Sequence, residues 1–490
     1  MPEIPVAKKY ERTRIKSINI IDIKTGNILF NRDVLIEGNL IRSIDTAQLN
    51  KKDEGILVVE GKGKFLMPGL WDMHTHSTQH SEWLHHPLYI ANGVTAIRDM
   101  SGQMGKADSY WAGTKDRKSW NRKLDSHKQV TPRYVLHSSY QINGRNSVPY
   151  GFPEYFKMEK EEDVPLLLAH YQKEGTNFIK VYSEIPAKSY RKLIKESPSY
   201  NIHIAGHKPL NISLEEAITS GQRSFEHGRI YMFDCFPEAD SLMKTNNKGS
   251  FFRNSMRSMV TDFDRAKAEH LMGLMREHDA YWTPTLQTVK MSAFADREEF
   301  LSNPHLVYIS AMRKTLWWNP DINRSAKDNR SSERKELNMQ YYEAVKEQVG
   351  MAHKNGVRIM TGTDVTDSYS FPGFSLHAEL ADLAKCGISN LEVLQAATIV
   401  PAQYSHLENR LGSVEMGKLA DLIILSENPL VDIANTEKIT GVILNGTYYD
   451  EDALKNLKEI TRDLASSFHL NIKFLYSLFS SPLMRKQFAD

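Results

Sequence analysis

The sequence predicts an α/β fold: a (β/α)₈ barrel of the TIM type with a small β-sandwich built from the N- and C-terminal segments. Three observations lead to this prediction. The 490 residues exceed the roughly 250 that such a barrel needs. Short apolar runs alternate with helical stretches through the middle of the chain, which is typical of a parallel sheet. Strand-like segments with tight-turn dipeptides lie near both ends.

The N-terminal segment between Lys16 and Val59 has short-period apolar positions, with turns at Thr25-Gly26 and Gly38-Asn39. A second β-rich segment near the C-terminus contains the turn Asn445-Gly446. Each piece is small for an independent core, so we expect the two to pair into one unit. The predicted domains are a composite β-sandwich from 1–68 and 402–452, a barrel over 69–401 and a helical tail over 453–490.

Within the barrel, apolar runs that read as buried parallel strands are separated by helices. Two helices carry a capping-box signal, beginning at Ser213 and at Ser389. The predicted strands are Val94–Arg98, Tyr134–His137, Asn177–Tyr182, Asn201–His207, Ser224–His227, Ala280–Pro284 and Arg358–Thr363.

The strands and helices of a minimal barrel do not account for two segments of the chain. Residues 233–348 are charged and rich in Trp and Phe, which predicts extra helices over one barrel face. The tail has helical spacing followed by an aromatic-apolar piece. It could contact a membrane or a partner subunit, but docking on its own barrel is favoured. A homo-oligomer is left open.

The composition restricts the partners. Apolar residues make up 41%, charged residues 25%, and the net charge is +2, so nothing indicates a nucleic acid, and a small-molecule substrate is expected.

The N-terminus lacks a signal-like apolar core, and no run approaches the roughly 18 apolar residues of a membrane span. The two cysteines, Cys235 and Cys386, are far apart and read as reduced thiols. We expect a cytoplasmic protein, although a chain that had lost its signal would look the same.

The motif His74-Thr75-His76 stands at the end of a mainly apolar run that begins at Phe65. Residues i and i+2 of a strand point the same way, so both imidazoles face one side, which at the carboxyl end of a barrel strand is the catalytic mouth. Alone, this motif is weak, because a pair of solvated histidines has the same pattern.

Further polar residues lie on or after the predicted strands. Lys180 lies within an apolar run, where a charged ammonium is costly unless it is paired or chemically changed. His207, His227 and Asp364 each stand at a strand end. Taken singly, His207 or His227 could be a hydrogen-bonded core histidine, and Asp364 could cap a helix. Lys180 could pair with a carboxylate of the barrel. Together they predict one site, and nitrogen and oxygen ligands without a thiolate favour zinc or a similar divalent ion.

At these residues the chain resembles the amidohydrolase superfamily, from about Ile18 to Asp450. The motifs that carry the resemblance are Met67-Pro-Gly-Leu-Trp-Asp-Met-His-Thr-His76, Gly93–Asp99, Phe178-Ile-Lys180-Val-Tyr, Ala205-Gly-His207, Phe225-Glu-His227-Gly, Thr361-Gly-Thr-Asp364 and Gly412–Leu422. Within the superfamily, the chain is most similar to imidazolonepropionase-related enzymes that include Xaa-Pro dipeptidases.

The resemblance implies a centre of two divalent metal ions, zinc by preference, as cofactors. His74, His76 and Asp364 would hold the more buried ion, and His207 and His227 the other. Lys180, carboxylated on its side-chain nitrogen, and a hydroxide would bridge them, which also resolves the burial of that lysine. The implied activity is hydrolysis of an amide bond, in a dipeptide or an N-acyl amino acid, with Asp364 accepting and returning the proton.

Outer residues are predicted less directly. Tyr231 is the candidate oxyanion donor, unless it is a packed loop aromatic. His377 and Glu379 are expected to line the mouth or to support the ligands. Peptidase relatives often carry a Gly-Gly-His-Gly loop where this chain has Ile142-Asn-Gly-Arg-Asn-Ser147. The missing histidine puts peptide substrates in doubt, although Arg145 could bind a carboxylate instead, or else be a surface arginine.

Two other functions remain open. The same metal centre could hydrolyse a cyclic amide, a lactone or an organophosphate, because substrate choice depends on the loops. A non-enzymatic structural protein on the same barrel is disfavoured, since such a protein would be expected to lose metal ligands and this chain keeps all six.

Overall fold

The computed structural model describes residues 3–47, 55–245 and 247–489. Its strands are β1 Arg12–Ile21, β2 Ile28–Glu37, β3 Leu40–Thr46, β4 Leu57–Glu60, β5 Phe65–Pro68, β6 Leu70–Thr75, β7 Val94–Asp99, β8 Arg133–His137, β9 Phe178–Val181, β10 His203–Gly206, β11 Ser224–Glu226, β12 Tyr281–Thr283, β13 Arg358–Ile359, β14 Leu422–Leu425, β15 Ile439–Leu444 and β16 Thr447–Asp450.

Its α-helices are α1 Ser81–Leu84, α2 His86–Ala91, α3 Thr114–Asp125, α4 Asp163–Glu174, α5 Ala187–Glu196, α6 Leu214–Thr219, α7 Ala239–Lys244, α8 Lys248–Thr261, α9 Arg265–Glu277, α10 Leu286–Phe294, α11 Glu298–Leu301, α12 Ala311–Arg313, α13 Asn319–Asp328, α14 Ser332–Lys354, α15 Phe374–Lys385, α16 Asn390–Ala396, α17 Ile399–Tyr404, α18 Glu451–Ser466, α19 Phe468–Ser480 and α20 Pro482–Ala489.

Strands from both ends of the chain form one hydrogen-bonded sheet. Its order is β16-β15-β14-β5-β1-β2-β3, with β4 paired to β1. The ends meet where β14 runs antiparallel to β5, with Ile424 opposite Leu66. The predicted turn Asn445-Gly446 joins β15 and β16, and both residues have the positive φ that a tight hairpin requires. Isoleucines of β1 and β14 share one buried core, so the two ends depend on each other.

Eight parallel strands, β6 to β13, lie between those ends. They form a sheet of three, β6-β7-β8, and a sheet of five, β9 to β13. Single parallel bridges connect the sheets at two places: Ile142 pairs with Val181, and Thr75 pairs with Val365. The α/β order and the curled sheets fit a TIM-like barrel.

Residues 233–348, the predicted insertion, contain β12 and the helices α7 to α13 together with most of α14. The helices of the tail pack on the rest of the molecule, with Leu470, Phe474 and Leu483 almost fully buried. Among the described residues no helix has the length and apolarity that a bilayer crossing demands. Both cysteines are free thiols.

Candidate metal centre

The six predicted ligands come together at the carboxyl ends of the parallel strands. His74 lies in β6 and His76 directly follows it, and Lys180 lies in β9. His207 and His227 follow β10 and β11, and Asp364 follows the segment after β13. Parallel strands end at one rim, so residues that are far apart in sequence meet there. We call His74, His76, Lys180, His207, His227 and Asp364 the six-residue cluster.

Asp364 lies at the middle of this cluster. Its Oδ1 is 2.9 Å from His76 Nε2 and 3.3 Å from His74 Nε2, and its Oδ2 is 3.7 Å from His227 Nδ1. Ligand atoms of His74, His76 and Asp364 all lie within 4.8 Å of one another, so these three side chains could hold a metal ion. The Nζ atom of Lys180 is 3.3 Å from His74 Nε2 and 3.4 Å from His76 Nε2.

The remaining two histidines form a second group of donors. His207 Nε2 and His227 Nε2 are 3.0 Å apart. The Nδ1 atom of His207 bonds to Ser183 Oγ, and that of His227 bonds to Thr285 Oγ1, each at 2.8 Å. When the hydroxyl oxygens accept from the Nδ1–H groups, both Nε2 lone pairs are available at one point, which is the arrangement of histidine ligands.

A buried ion pair fixes the orientation of His74. Glu226 Oε2 lies 2.8 Å from His74 Nδ1, and the same carboxylate accepts bonds of 2.8 and 2.9 Å from Arg98. All three side chains are 0% exposed. The carboxylate therefore holds the proton on Nδ1 and leaves Nε2 free for a metal. The sequence did not lead us to assign a role to Arg98 or Glu226, although both lie in apolar strand runs, as Lys180 does.

The protonation states also fit a metal centre. Burial lowers the pKa of all four imidazoles, that of His227 to about 3, so they are neutral near pH 7. Burial by itself would raise the pKa of the Asp364 carboxyl group. The hydrogen bond from His76 and the positive charges nearby have the larger effect, and the net pKa lies below its usual range. Neutral imidazoles and an ionised carboxylate are the ligand forms that divalent metals require.

Two residues of the six-residue cluster have a backbone conformation that is uncommon outside glycine. The φ angle is +72° at His227 and +60° at Asp364. Such left-handed residues cost free energy and are concentrated at functional sites. His227 has this conformation directly after β11, and Asp364 has it in the segment that follows β13.

Two cavities meet at the cluster. The first, of about 350 Å³, is bounded by Trp111, Tyr140 and Trp317. The second, of about 370 Å³, is bounded by Arg229 and Phe233. Both are also lined by Tyr182, His207, His227, Asp364 and Asp367. A substrate with two arms could therefore place its central bond at the cluster.

The structure does not bring Tyr231 to either cavity. Its side chain is fully buried, and its hydroxyl donates to Met275 Sδ at 2.9 Å. In this position Tyr231 packs against Trp282 and has no access to a substrate oxygen. The geometry thus corresponds to the packed aromatic that the sequence left open.

His377, Glu379 and Arg145 also lie away from the cluster. His377 is buried, with Nδ1 bonded to Thr436 Oγ1 and Nε2 to the Asn92 carbonyl, both at 3.0 Å. Glu379 accepts the backbone N–H groups that begin α10. The Arg145 side chain is 74% exposed and 3.4 Å from Glu159, outside both cavities. The placement of His377 and Arg145 corrects the expectation that they bind substrate.

The amidohydrolase family model matches residues 267–448. No curated protein sequence matches the chain. The predicted resemblance is confirmed.

Solved structures extend that match to the fold of nearly the whole chain. A Xaa-Pro dipeptidase with bound methionine is 19% identical, with a TM-score of 0.61 over 90% of this chain and 100% of that one. A prolidase complexed with N-methylphosphonate-L-proline is 20% identical, with a TM-score of 0.60 over 90% and 99%. The bottromycin amidohydrolase is 17% identical, with a TM-score of 0.71 over 94% and 91%. With the family match, they support a hydrolase that acts on carbon–nitrogen bonds.

Proposed function

We propose that the chain is a hydrolase that depends on two divalent metal ions and cleaves an amide bond in a dipeptide or an N-acyl amino acid. The observation that carries this proposal is the convergence of six potential ligands from the ends of five strands at the meeting point of two cavities. His74, His76 and Asp364 would hold one ion, and His207 and His227 the other. Zinc suits a donor set of imidazole nitrogens and carboxylate oxygens.

Bound metal ions would polarise the scissile carbonyl and lower the pKa of a water molecule. The protein moves the proton: Asp364 lines both cavities and is ionised, so it can accept a proton from the attacking water. The same carboxyl group then donates that proton to the leaving nitrogen. Its fixed position between His76 and His227 limits it to one orientation.

Lys180 would bridge the two metal sites as a carbamate. Its side chain is 1% exposed, and burial lowers the pKa of the amine. The neutral amine is the form that can react with carbon dioxide. The product is an anion, and its burial among cations would cost less than that of an isolated ammonium.

We assign the recognition of the substrate carboxylate to Arg229 in place of Arg145. Arg229 follows the ligand His227 by two residues and lines the second cavity. The other cations there are engaged: Lys208 lies 2.6 Å from Asp234, and Lys248 donates to the Met243 carbonyl at 2.8 Å. Guanidinium groups bind carboxylates bidentately. The apolar wall around Phe233 would accept the side chain of the same amino acid.

We also propose the domain boundaries and finer architecture that the sequence predicts: a closed barrel, and a composite β-sandwich built from the N- and C-terminal segments. Supporting this proposal, β5 ends at Pro68 and β6, the first parallel strand, begins at Leu70. The bridges at Ile142 and Thr75 lie where closure requires contacts.

Metal analysis of the reconstituted protein tests the centre. We expect about two divalent ions per chain, and Lys180→Ala should lose the two-metal occupancy. Partial rescue of that variant by a short carboxylic acid would support the bridging role. Unchanged metal content in Lys180→Ala would remove it.

A substrate panel tests the reaction. We expect hydrolysis of dipeptides and N-acyl amino acids with a free carboxylate, and much slower turnover of their amides. Arg229→Met should raise KM for the free acids, whereas Arg253→Met should not, because Arg253 lies outside the second cavity. Equal rates for acids and amides would exclude this substrate class, and hydrolysis of lactones or cyclic amides instead would favour the alternative.

A further inference from the structure

The C-terminal helix α20 reaches the first cavity. Lys486 and Gln487, near the end of the chain, line that cavity together with His76 and Trp111. The amide nitrogen of Gln487 lies 3.2 Å from the hydroxyl of Tyr140, another residue of the cavity wall. These two residues of α20 are therefore part of the surface that a substrate would contact.

Specific contacts fix α20 at this place. Ser481 caps the helix by accepting from Met484 N at 3.0 Å, and its hydroxyl donates to Asp108 Oδ2 at 2.8 Å. The other oxygen of Asp108 accepts the backbone N–H groups of Tyr110 and Trp111 at 2.8 and 2.9 Å. A single carboxylate thus connects the start of α20 to the loop that carries Trp111.

Apolar burial adds to these polar contacts. Leu483 and Met484 of α20 are 0% exposed. In α19, Phe474 is 2% exposed, and its ring centroid lies 5.8 Å from that of Tyr110. Burial of such apolar side chains stabilises the docked position, so α20 is held as a fixed wall.

We propose that α20 forms a substrate-binding wall of the first cavity, where Gln487 and Lys486 determine which acyl arm is accepted. This inference rests on the proposed function, in which the carboxylate-bearing residue occupies the second cavity and the acyl arm occupies the first. Trp111, Tyr140 and Trp317 offer aromatic surfaces to that arm. The favoured substrate is therefore an amino acid with an aromatic acyl group on its nitrogen.

Selectivity between two acyl groups tests this role. The ratio of kcat/KM for the N-benzoyl and N-acetyl forms of one amino acid should fall by about tenfold in Gln487→Ala and Lys486→Ala. Arg485→Ala is the matched control, because Arg485 is exposed, bonds to the Phe479 carbonyl and does not line the cavity. An unchanged ratio in both cavity variants would overturn the proposal.

A second measurement needs neither metal nor activity, so it separates this inference from a failure of the proposed function. Gln487→Cys and Arg485→Cys should both react with iodoacetamide, which is small. With a polyethylene glycol maleimide, Gln487→Cys should react about tenfold more slowly than Arg485→Cys, because the cavity excludes the larger reagent. The unsubstituted chain gives the background of Cys235 and Cys386. Equal reaction of both variants with the large reagent would show that position 487 faces open solvent, which would overturn the proposal.

Discussion

At the scale of single residues, the candidate centre depends on charges that are buried and paired. The argument that identified Lys180 from the sequence, a charge in an apolar strand, applies equally to Arg98 and Glu226. What the sequence could not give was their pairing, because Arg98 and Glu226 are 128 positions apart. Only the folded sheet brings the carboxylate to His74.

Replacement of Glu226 tests that support. Glu226→Gln keeps the shape but removes the charge that holds the His74 proton, so metal affinity should fall by about 10–100-fold. The measurement is a competition titration with a chelator. Glu184→Gln is the control, since Glu184 is an exposed acid that lines the second cavity. Equal losses in both variants would contradict the role of Glu226.

Replacement of Asp364 tests the proton transfer. Asp364→Asn should reduce kcat by about 10²–10⁴-fold, because an amide cannot accept or return the proton. KM should change less, since substrate contacts in the two cavities remain. Steady-state kinetics of metal-loaded protein, with metal content measured in parallel, decide the question. Near wild-type turnover would exclude Asp364 as the proton acceptor.

At the scale of elements, apolar patterning predicted the positions of the parallel strands after β6. The run Val94–Arg98 corresponds to β7, but Arg358–Thr363 shortens to the two residues of β13. The chain there leaves β12 and bonds to β6 through Met73 N and the Thr361 carbonyl at 2.9 Å. Periodicity within one strand does not encode such a change of partner.

Helix starts show the same limit. The capping box at Ser389 is present in full, which confirms that prediction. At Ser213 the hydroxyl caps α6, but the Glu216 carboxylate pairs with Arg191 of α5. A neighbouring helix competes for the side chain that the local motif assigned to the cap.

The turn before His207 gives a prediction at this scale. Gly206 has a φ of +124°, and a Cβ there would lie 2.2 Å from the Val181 carbonyl oxygen. Gly206→Ala should therefore displace the end of β10 and lower metal content. Gly221→Ala is the matched control, because Gly221 has a φ of +106° but no atom within 4 Å of its Cβ position.

Chemical denaturation measures the difference between the two glycine variants. Both carry backbone strain, but only Gly206→Ala adds the clash, so its free energy of unfolding should be lower by about 1–3 kcal/mol. Equal values would show that the strand end can shift without cost.

At the scale of the whole molecule, many histidines are buried in neutral form. Burial lowers the pKa of His86 and of His137 to about 3, and both lie outside the six-residue cluster. His86 bonds to the Tyr134 hydroxyl at 2.7 Å and packs against Trp120. Such groups gain protons on unfolding whenever the pH is below about 6.5.

Stability should therefore fall on acidification. With an unfolded pKa near 6.5 and a depressed folded pKa, the contribution of His86 is fully present above pH 6.5 and is lost towards pH 3. By pH 5 this amounts to about 2 kcal/mol for one such group. His86→Gln should flatten the dependence of the unfolding free energy on pH between 6.5 and 5. His278→Gln, at an exposed position, should not.

The sequence by itself determined the strand and helix periods, the turns and the choice of the six residues that form the cluster, because each depends on residue types at short spacing or on a charge in an apolar run. Tertiary structure decided the rest. It pairs β14 with β5, brings Arg98 and Glu226 to His74, and lays α20 against the first cavity. It also turns Tyr231, His377 and Arg145 away from the cluster. These outcomes depend on which distant surfaces meet, and local patterning does not specify such contacts.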